Sequence, residues 1–508
     1  MRKKILLLVF GGVVVAALAT GCSRSVELQT KFVEVKELFV SPSQAEIAIN
    51  SEYQFYAIAV DKDGNPSKVS AEWSLYGTVG TIDASGLFKS LTKAGTALVT
   101  AKYGAFQASA YVTVKPGSLA KLTVSPSSVT LAVGDSYTFT ATGEDSYGNE
   151  VDVSPTWSVE GGIGSFSDYY DFSSKGIRYM SSSYSAYSYF TATAAGSGTV
   201  KAQVGSIEAR ASVQVISITP YTYVTQWQTK VGTESAIAKG AAIDSSGNIW
   251  VGMYTYSYSG GYEYNGYVAK YDSSGNFISS LEGAASGEGS LKVPNDIAFD
   301  SSGNIYVVDY EGDKIKKYDS SGNFLLSWGG SGSSSGKFYH PARIAIDSRN
   351  YVYVTDNGND RVQKFDSSGN YILEWGSYGS DPGEFKNPTG IAIGSDGYIY
   401  VADQENYRIQ KFSSSGSYIT SWGSYGSGIG QFGSLVGVTI DSSNNLFVTD
   451  YSYNRVYKYD NAGNFITRWG SYGRASGKFS SPMDVAVDGS GNVYVVDTYN
   501  YRIQKFQP

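Results

Sequence analysis

The chain has 508 residues, more than one hydrophobic core holds and enough for about two to four domains. Charged residues make up only 17%, while Gly (59) and Tyr (43) are abundant; turn formers and strand formers in that balance predict an all-β protein. The net charge of −7 excludes the broadly basic surface that a nucleic-acid partner requires.

The chain opens with Arg2, Lys3 and Lys4, continues with an apolar run from Ile5 to Leu18, and reaches Ala19-Thr20-Gly21-Cys22. A basic start, an apolar stretch too short to span a bilayer and small residues before a cut predict a secretory signal at 1–21. Cys22, at that cut, is the one cysteine of the chain, so no disulfide or thiolate metal site can form. The segment resembles the lipobox of bacterial lipoproteins, with Leu18 one place further out than usual. The resemblance implies acylation of Cys22 and a membrane anchor of two or more acyl chains. Ser23 follows, not the Asp that marks inner-membrane retention in that family, which implies the outer membrane. Residues 22–33 read as a polar tether.

Two copies of one unit come next, at 34–116 and 117–218. Val40, Tyr53, Phe55 and Trp73 recur 84 residues later as Val124, Tyr137, Phe139 and Trp157. The offset then grows to 101, between Ala94 and Ala195, so the second copy carries 17 extra residues between Phe166 and Thr193. Period-2 segments such as Ser136–Thr142, broken by Gly, Asn and Asp, predict β-sandwiches. The units resemble bacterial Ig-like (Big) domains, which implies a spacer role.

A stricter repeat fills 219–508. Asp309, Asp356, Asp403, Asp450 and Asp497 lie 47 residues apart, and so do Trp328, Trp375, Trp422 and Trp469. One unit predicts four strands: a at 391–393, b at 398–402, c at 408–412 and d at 418–422. Four short strands per repeat of this length is the pattern of a β-propeller. The Pro-x-Gly-Ile-Ala, Val-Ala-Asp and Asn-x-Arg-Ile-Gln-Lys-Phe elements around Pro388, Asp403 and Asn406 resemble the NHL repeat. Six units are counted, the first being divergent and carrying a nine-residue insertion. The chain ends after strand c of the last unit, and Tyr223–Trp227 supplies the missing strand d. The expected fold is thus two tandem Ig-like β-sandwiches followed by a closed six-bladed propeller, its N-terminal strand completing the last blade and removing exposed edges.

His340 is the one histidine, which rules out a multi-histidine metal site or a His dyad. The Asp-Ser-Ser-Gly-Asn strings at Asp244, Asp272, Asp300, Asp319 and Asp366 read as hairpin turns rather than calcium loops. Asp356/Arg361, Asp403/Arg408, Asp450/Arg455 and Asp497/Arg502 recur in near-identical context in four of the units and so read as structural pairs, and the repeated Trp as packing between blades. No catalytic residue, cofactor or metal is assigned.

Function is expected where the blades differ. At the start of strand a the six pairs are Lys239-Gly240, Asn295-Asp296, Ala342-Arg343, Thr389-Gly390, Val436-Gly437 and Met483-Asp484, which places Lys239, Asp296, Arg343 and Asp484 around one channel mouth. On the same face stand Tyr378, Tyr425 and Tyr472, and the insertion carries Tyr254, Tyr256, Tyr258, Tyr262 and Tyr264 about Gly260-Gly261. A three-residue loop there sets these tyrosines on one side of a hairpin; a two-residue loop splits them between faces. Tyrosine gives large, rigid contact area. The expected function is a lipid-anchored binding scaffold in the cell envelope, its propeller face taking a protein, peptide or glycan. Two alternatives stay open: a lyase or lactonase with a divalent metal at Asp296 and Asp484, and a purely structural envelope protein.

Overall fold

In the computed structural model, residues 34–166, 186–258, 260–281 and 287–508 are described in full; Ser167, Glu282 and the strands Leu6–Phe10, Val13–Ala17, Thr30–Phe32, Tyr169–Asp171 and Arg178–Met180 are described by their backbone alone. Cys22 lies outside the described residues. Among those described the fold is all-β, and the only helical elements are four 3-10 turns.

The chain divides into two compact units, residues 1–129 with 134–215, and residues 130–133 with 216–508. The first holds two similar modules. In the earlier one, Gly95–Tyr103 pairs with Phe106–Lys115 and with Glu72–Tyr76. Val35–Ser41 pairs with Tyr56–Asp61 in a separate sheet. Burial alternates along Phe106–Lys115 as period-2 patterning requires. Phe55 and Phe88 are fully buried at its centre, as Phe139 and Phe190 are in the later module. The repeat is thus geometric as well as sequential: Tyr53 lies 5.3 Å from Phe55 and Tyr137 lies 5.4 Å from Phe139. A turn of the later module grips the earlier one. Asp145 Oδ2 accepts the Gly117 N–H at 2.7 Å, and Asn149 exchanges hydrogen bonds with Thr92 and Ala94.

The second unit contains six four-stranded antiparallel sheets. The repeat read as four strands forms Pro388–Ile393, Ile399–Asp403, Arg408–Phe412 and Tyr418–Trp422, paired in that order. Strand b is buried along its whole length in repeats two to six, for example Val352–Asp356. A strand covered on both faces reads as a continuous apolar run, and these do. Thr222–Gln228 pairs antiparallel with the last strand, Arg502–Gln507, setting Trp227 opposite Ile503. The first sheet meets the last through Ala241 N–H to Asp484 Oδ2 (2.9 Å) and Thr498 Oγ1 to the Ala238 carbonyl (3.0 Å).

Successive sheets interlock through the repeated Trp. Trp328 packs against Tyr306 of its own sheet and Phe365 of the next, and lies over Gly369. Gly369 has φ +81, and a Cβ there would come within 2.8 Å of the indole. Trp375, Trp422 and Trp227 cover Gly416, Gly463 and Gly275 in the same way. Two needs, a left-handed turn and a flat seat, meet in one glycine.

Candidate functional site

The loops of the face are held from below by the buried Asp that ends strand b. Asp356 accepts the Tyr339 N–H at 2.8 Å, Arg361 Nε at 2.8 Å, Asn359 Nδ2 at 2.9 Å and Gln363 Nε2 at 3.0 Å. Arg361 goes on to the carbonyls of Ser334 and Lys337, tying the b–c loop to the loop entering strand a. Asp403/Arg408 and Asp497/Arg502 repeat this ion pair at 2.7 and 2.6 Å. The fifth repeat departs from the expected pairing. There Asp450 accepts backbone N–H groups of Gly433, Ser434, Ser452 and Tyr453, and Arg455 turns to the Ser427 carbonyl. Tyr457 stands where Gln363 stands two repeats earlier, so the amide that donates to Asp356 there has no counterpart here.

Every strand a breaks register where its channel residues lie: at Ala238/Gly240, Pro294/Asp296, Pro341/Ile344, Pro388/Ile391, Leu435/Val438 and Pro482/Asp484. Bulges of this kind re-aim side chains, so neighbours such as Asn295 and Asp296, or Met483 and Asp484, line two adjoining cavities instead of pointing to opposite sides of the sheet. The result is two tiers. The first members, Lys239, Asn295, Ala342, Thr389, Val436 and Met483, line an upper cavity of about 260 Å³. Of the second members, Asp296, Arg343 and Asp484 line a lower cavity of about 250 Å³. Lys239 therefore does not share one ring of charge with Asp296 and Asp484; it belongs to the upper cavity and they to the lower.

Arg343 separates the two cavities and borders both. Its guanidinium donates to the carbonyls of Asn295, Lys239 (3.1 Å) and Met483 (2.7 Å), reaching three other strands. The donors go to carbonyls and not to the carboxylates. Asp296 Oδ2 instead accepts the Ile344 N–H, and Asp484 the Ala241 N–H, both at 2.9 Å. The other second members are glycine because the neck is full. A Cβ on Gly437 would lie 2.4 Å from Asp484 Oδ1, and one on Gly240 2.5 Å from the Asn295 carbonyl.

Burial dominates the electrostatics here. It pushes the Asp296 carboxyl up to about 7, with nearby Arg343 opposing and Asp484 adding to the rise. Asp484 is also raised by burial, again opposed by Arg343. Lys239 is lowered to about 8 by burial and then by Arg343.

The insertion in the first sheet is a hairpin, Ile249–Tyr258 paired with Tyr262–Tyr271. Its register sets Tyr258 opposite Tyr262 and Tyr256 opposite Tyr264, the three-residue-loop alternative. The tyrosines form a ladder: Tyr258–Tyr262 at 5.4 Å, Tyr262–Tyr256 at 5.8 Å, Tyr262–Tyr264 at 6.1 Å and Tyr264–Tyr254 at 5.8 Å. Tyr254 and Tyr264 wall the upper cavity, while Tyr256, Tyr258 and Tyr262 are 54–71% exposed. Burial and the neighbouring tyrosines raise the Tyr254 phenol to about 12.

Tyr378, Tyr425 and Tyr472 are 67–75% exposed, each bridged to a buried Phe seven residues on. Tyr425 meets Tyr407 at 4.9 Å and Tyr378 meets Lys386, but among the described residues none of the three touches the ladder. His340 lies between Tyr310 (4.6 Å) and Tyr339 (4.4 Å), both stacked on it. The Asp-Ser-Ser-Gly-Asn strings are turns. Asp244 Oδ1 accepts the N–H of Ser246 and Asn248, and Asp272 repeats the pattern.

Some contributors escape a search for odd residues. Asn357, Gln404 and Glu311 also line the upper cavity, and Asn357 and Gln404 occupy one repeat position just after the buried Asp. On strand c, Lys270, Lys317, Lys364, Lys411, Lys458 and Lys505 recur every 47 residues. Each ammonium lies 4.2–5.5 Å from an aromatic ring of a neighbouring strand. Their spacing was the available signal.

Within the second unit, residues 338–365, 385–412 and 479–506 match the NHL repeat, and each of its six sheets has the four-stranded antiparallel order of a propeller blade. Ice-binding protein 1 of Shewanella frigidimarina is 31% identical over 153 residues, which is 29% of this chain and 17% of that protein. Among solved structures, a streptogramin B lyase is similar at 15% identity and a TM-score of 0.39, over 56% of this chain and 97% of its own. A virginiamycin B lyase from Staphylococcus aureus (14%, 0.38, 56% and 99%) and a putative gluconolactonase (10%, 0.40, 56% and 92%) are similar too.

Proposed function

We propose that the protein is a binding scaffold of the cell envelope, held to the outer membrane through a lipid on Cys22. In this reading the six sheets close into one six-bladed ring, with Thr222–Gln228 as the strand that seals it. The two modules before it are Ig-like spacers. The face of the ring binds a protein, peptide or glycan.

One observation carries the binding reading: the tyrosine ladder runs without a break from exposed Tyr258 to Tyr254 in the wall of the upper cavity. Rigid aromatic side chains offer contact area at low entropic cost, and an exposed cluster of them marks an interaction surface. A scaffold made only for packing gains nothing from exposing them. The ice-binding relative is matched over 17% of its length, so its ligand is not carried over.

The test is a triple variant, Tyr256→Ser, Tyr258→Ser and Tyr262→Ser, in the full chain. Its melting temperature should stay that of the parent, because all three side chains are exposed. Its capture of envelope polysaccharide and peptide ligands should fall; undiminished capture would remove the basis of the proposal.

A further inference from the structure

We infer that the upper cavity seats one acidic sugar unit, a uronic-acid residue of a glycan whose neighbouring rings lie along the tyrosine ladder. This rests on the reading of the face as a binding surface and names the ligand class.

The cavity holds a cation without a counter-ion. Among the described residues the Lys239 ammonium has no ion-pair or hydrogen-bond partner, and its nearest aromatic contact is Tyr254, 5.9 Å from the ring centre. Arg343 Nε is also buried without a partner. A cation withdrawn from water and left unpaired is costly, and a ligand carboxylate removes that cost. Arg343 already faces Asp296 and Asp484, so Lys239 is the cation left without a partner among the described residues, and Glu311, the one carboxylate on the wall, is not paired with it.

The remaining polar groups ask for donors. Asn295 Nδ2 is spent on the Ala342 carbonyl, Asn357 Nδ2 on the Pro388 carbonyl and Gln404 Nε2 on Ser434 Oγ. Each amide oxygen is left as an acceptor without a protein partner among the described residues. A uronate supplies hydroxyl donors and a carboxylate on one ring. A peptide carboxy-terminus supplies the charge but about one N–H per residue, in extended spacing. The volume of about 260 Å³ fits a single ring rather than a drug-sized molecule. Tyr254 and Tyr264 then offer apolar ring faces to the next sugars of the chain.

Calorimetric titration of the full chain tests this with trisaccharides of galacturonate and mannuronate and a hyaluronan oligomer, their carboxyl methyl esters, and tri-aspartate as the peptide probe. At least one acidic trisaccharide should bind, with its methyl ester about tenfold weaker or more. Lys239→Met should lose that difference, and Lys239→Arg should keep it, with the far-ultraviolet spectrum and melting curve as folding controls. Equal binding of acid and ester, preference for tri-aspartate, or no binding by any of the acids overturns the inference. The tyrosine triple variant separates the outcomes: if it loses envelope capture while the acids fail to bind, the surface reading stands and the sugar assignment falls.

Discussion

Arg343 donates from Nη2 to the backbone carbonyl of Met483, 2.7 Å away and 140 residues along the chain. With its bonds to Asn295 and Lys239 it joins four strands between the two cavities, and its charge faces the buried carboxyls of Asp296 and Asp484. Arg343→Met keeps most of the volume and removes every donor. The loss should be roughly 3 kcal/mol or more, because three carbonyls lose a partner and two buried acids lose their cation. Arg343→Lys should not restore it, since a single ammonium cannot reproduce the planar fork. Denaturant unfolding of the three proteins checks both statements.

The same residues set a pH dependence. Folding raises the Asp296 carboxyl to about 7 from an unfolded value near 4, through burial first and the Asp484 charge as well, against Arg343. Between those values the folded chain holds a proton that the unfolded chain has released. This contribution is full below about pH 4 and is lost as the pH rises to about 7. Asp296→Asn should therefore flatten the fall in melting temperature of the propeller over that range, and a curve of unchanged slope would contradict the assignment.

Gly369 and Gly397 separate strain from crowding. Both have a left-handed backbone, φ +81 and +79, but a Cβ meets the Trp328 ring at the first and open space at the second. Gly369→Ala should cost about 1–3 kcal/mol more than Gly397→Ala, because only the former displaces an indole packed between two sheets. Parallel chemical denaturation measures the difference.

In the first unit, Asp145 is held down at about 2 despite burial, by hydrogen bonds from Asn149, Gly117 and Tyr147. Asp145→Ala should leave the cores of both modules intact and release the turn that grips the earlier one. Amide exchange should then rise at least tenfold at Gly117 and Asn149, with Val99 and Val200 unchanged. Uniform acceleration at all four would mean that the side chain supports a core instead.

The 47-residue period, the four strands of each repeat and the strand at Tyr223–Trp227 were all legible in the sequence. So were the turn role of the Asp-Ser-Ser-Gly-Asn strings and the Trp contacts between sheets, because each depends on local spacing or on a rule that every repeat obeys. The alternation of buried and exposed residues in the two modules followed from the same logic.

Only the tertiary structure decided how the divergent positions combine. A period-2 reading sends neighbours to opposite sides, yet a bulge in each strand a lets Asn295 and Asp296, and Met483 and Asp484, line two adjoining cavities. Lys239 was thereby parted from Asp296 and Asp484, and Arg343 became the partition. The hairpin register was open in the same sense: one residue more or fewer in the turn exchanges its faces, and local spacing does not choose. Pairing of Tyr258 with Tyr262 put the five tyrosines into one ladder above the cavity.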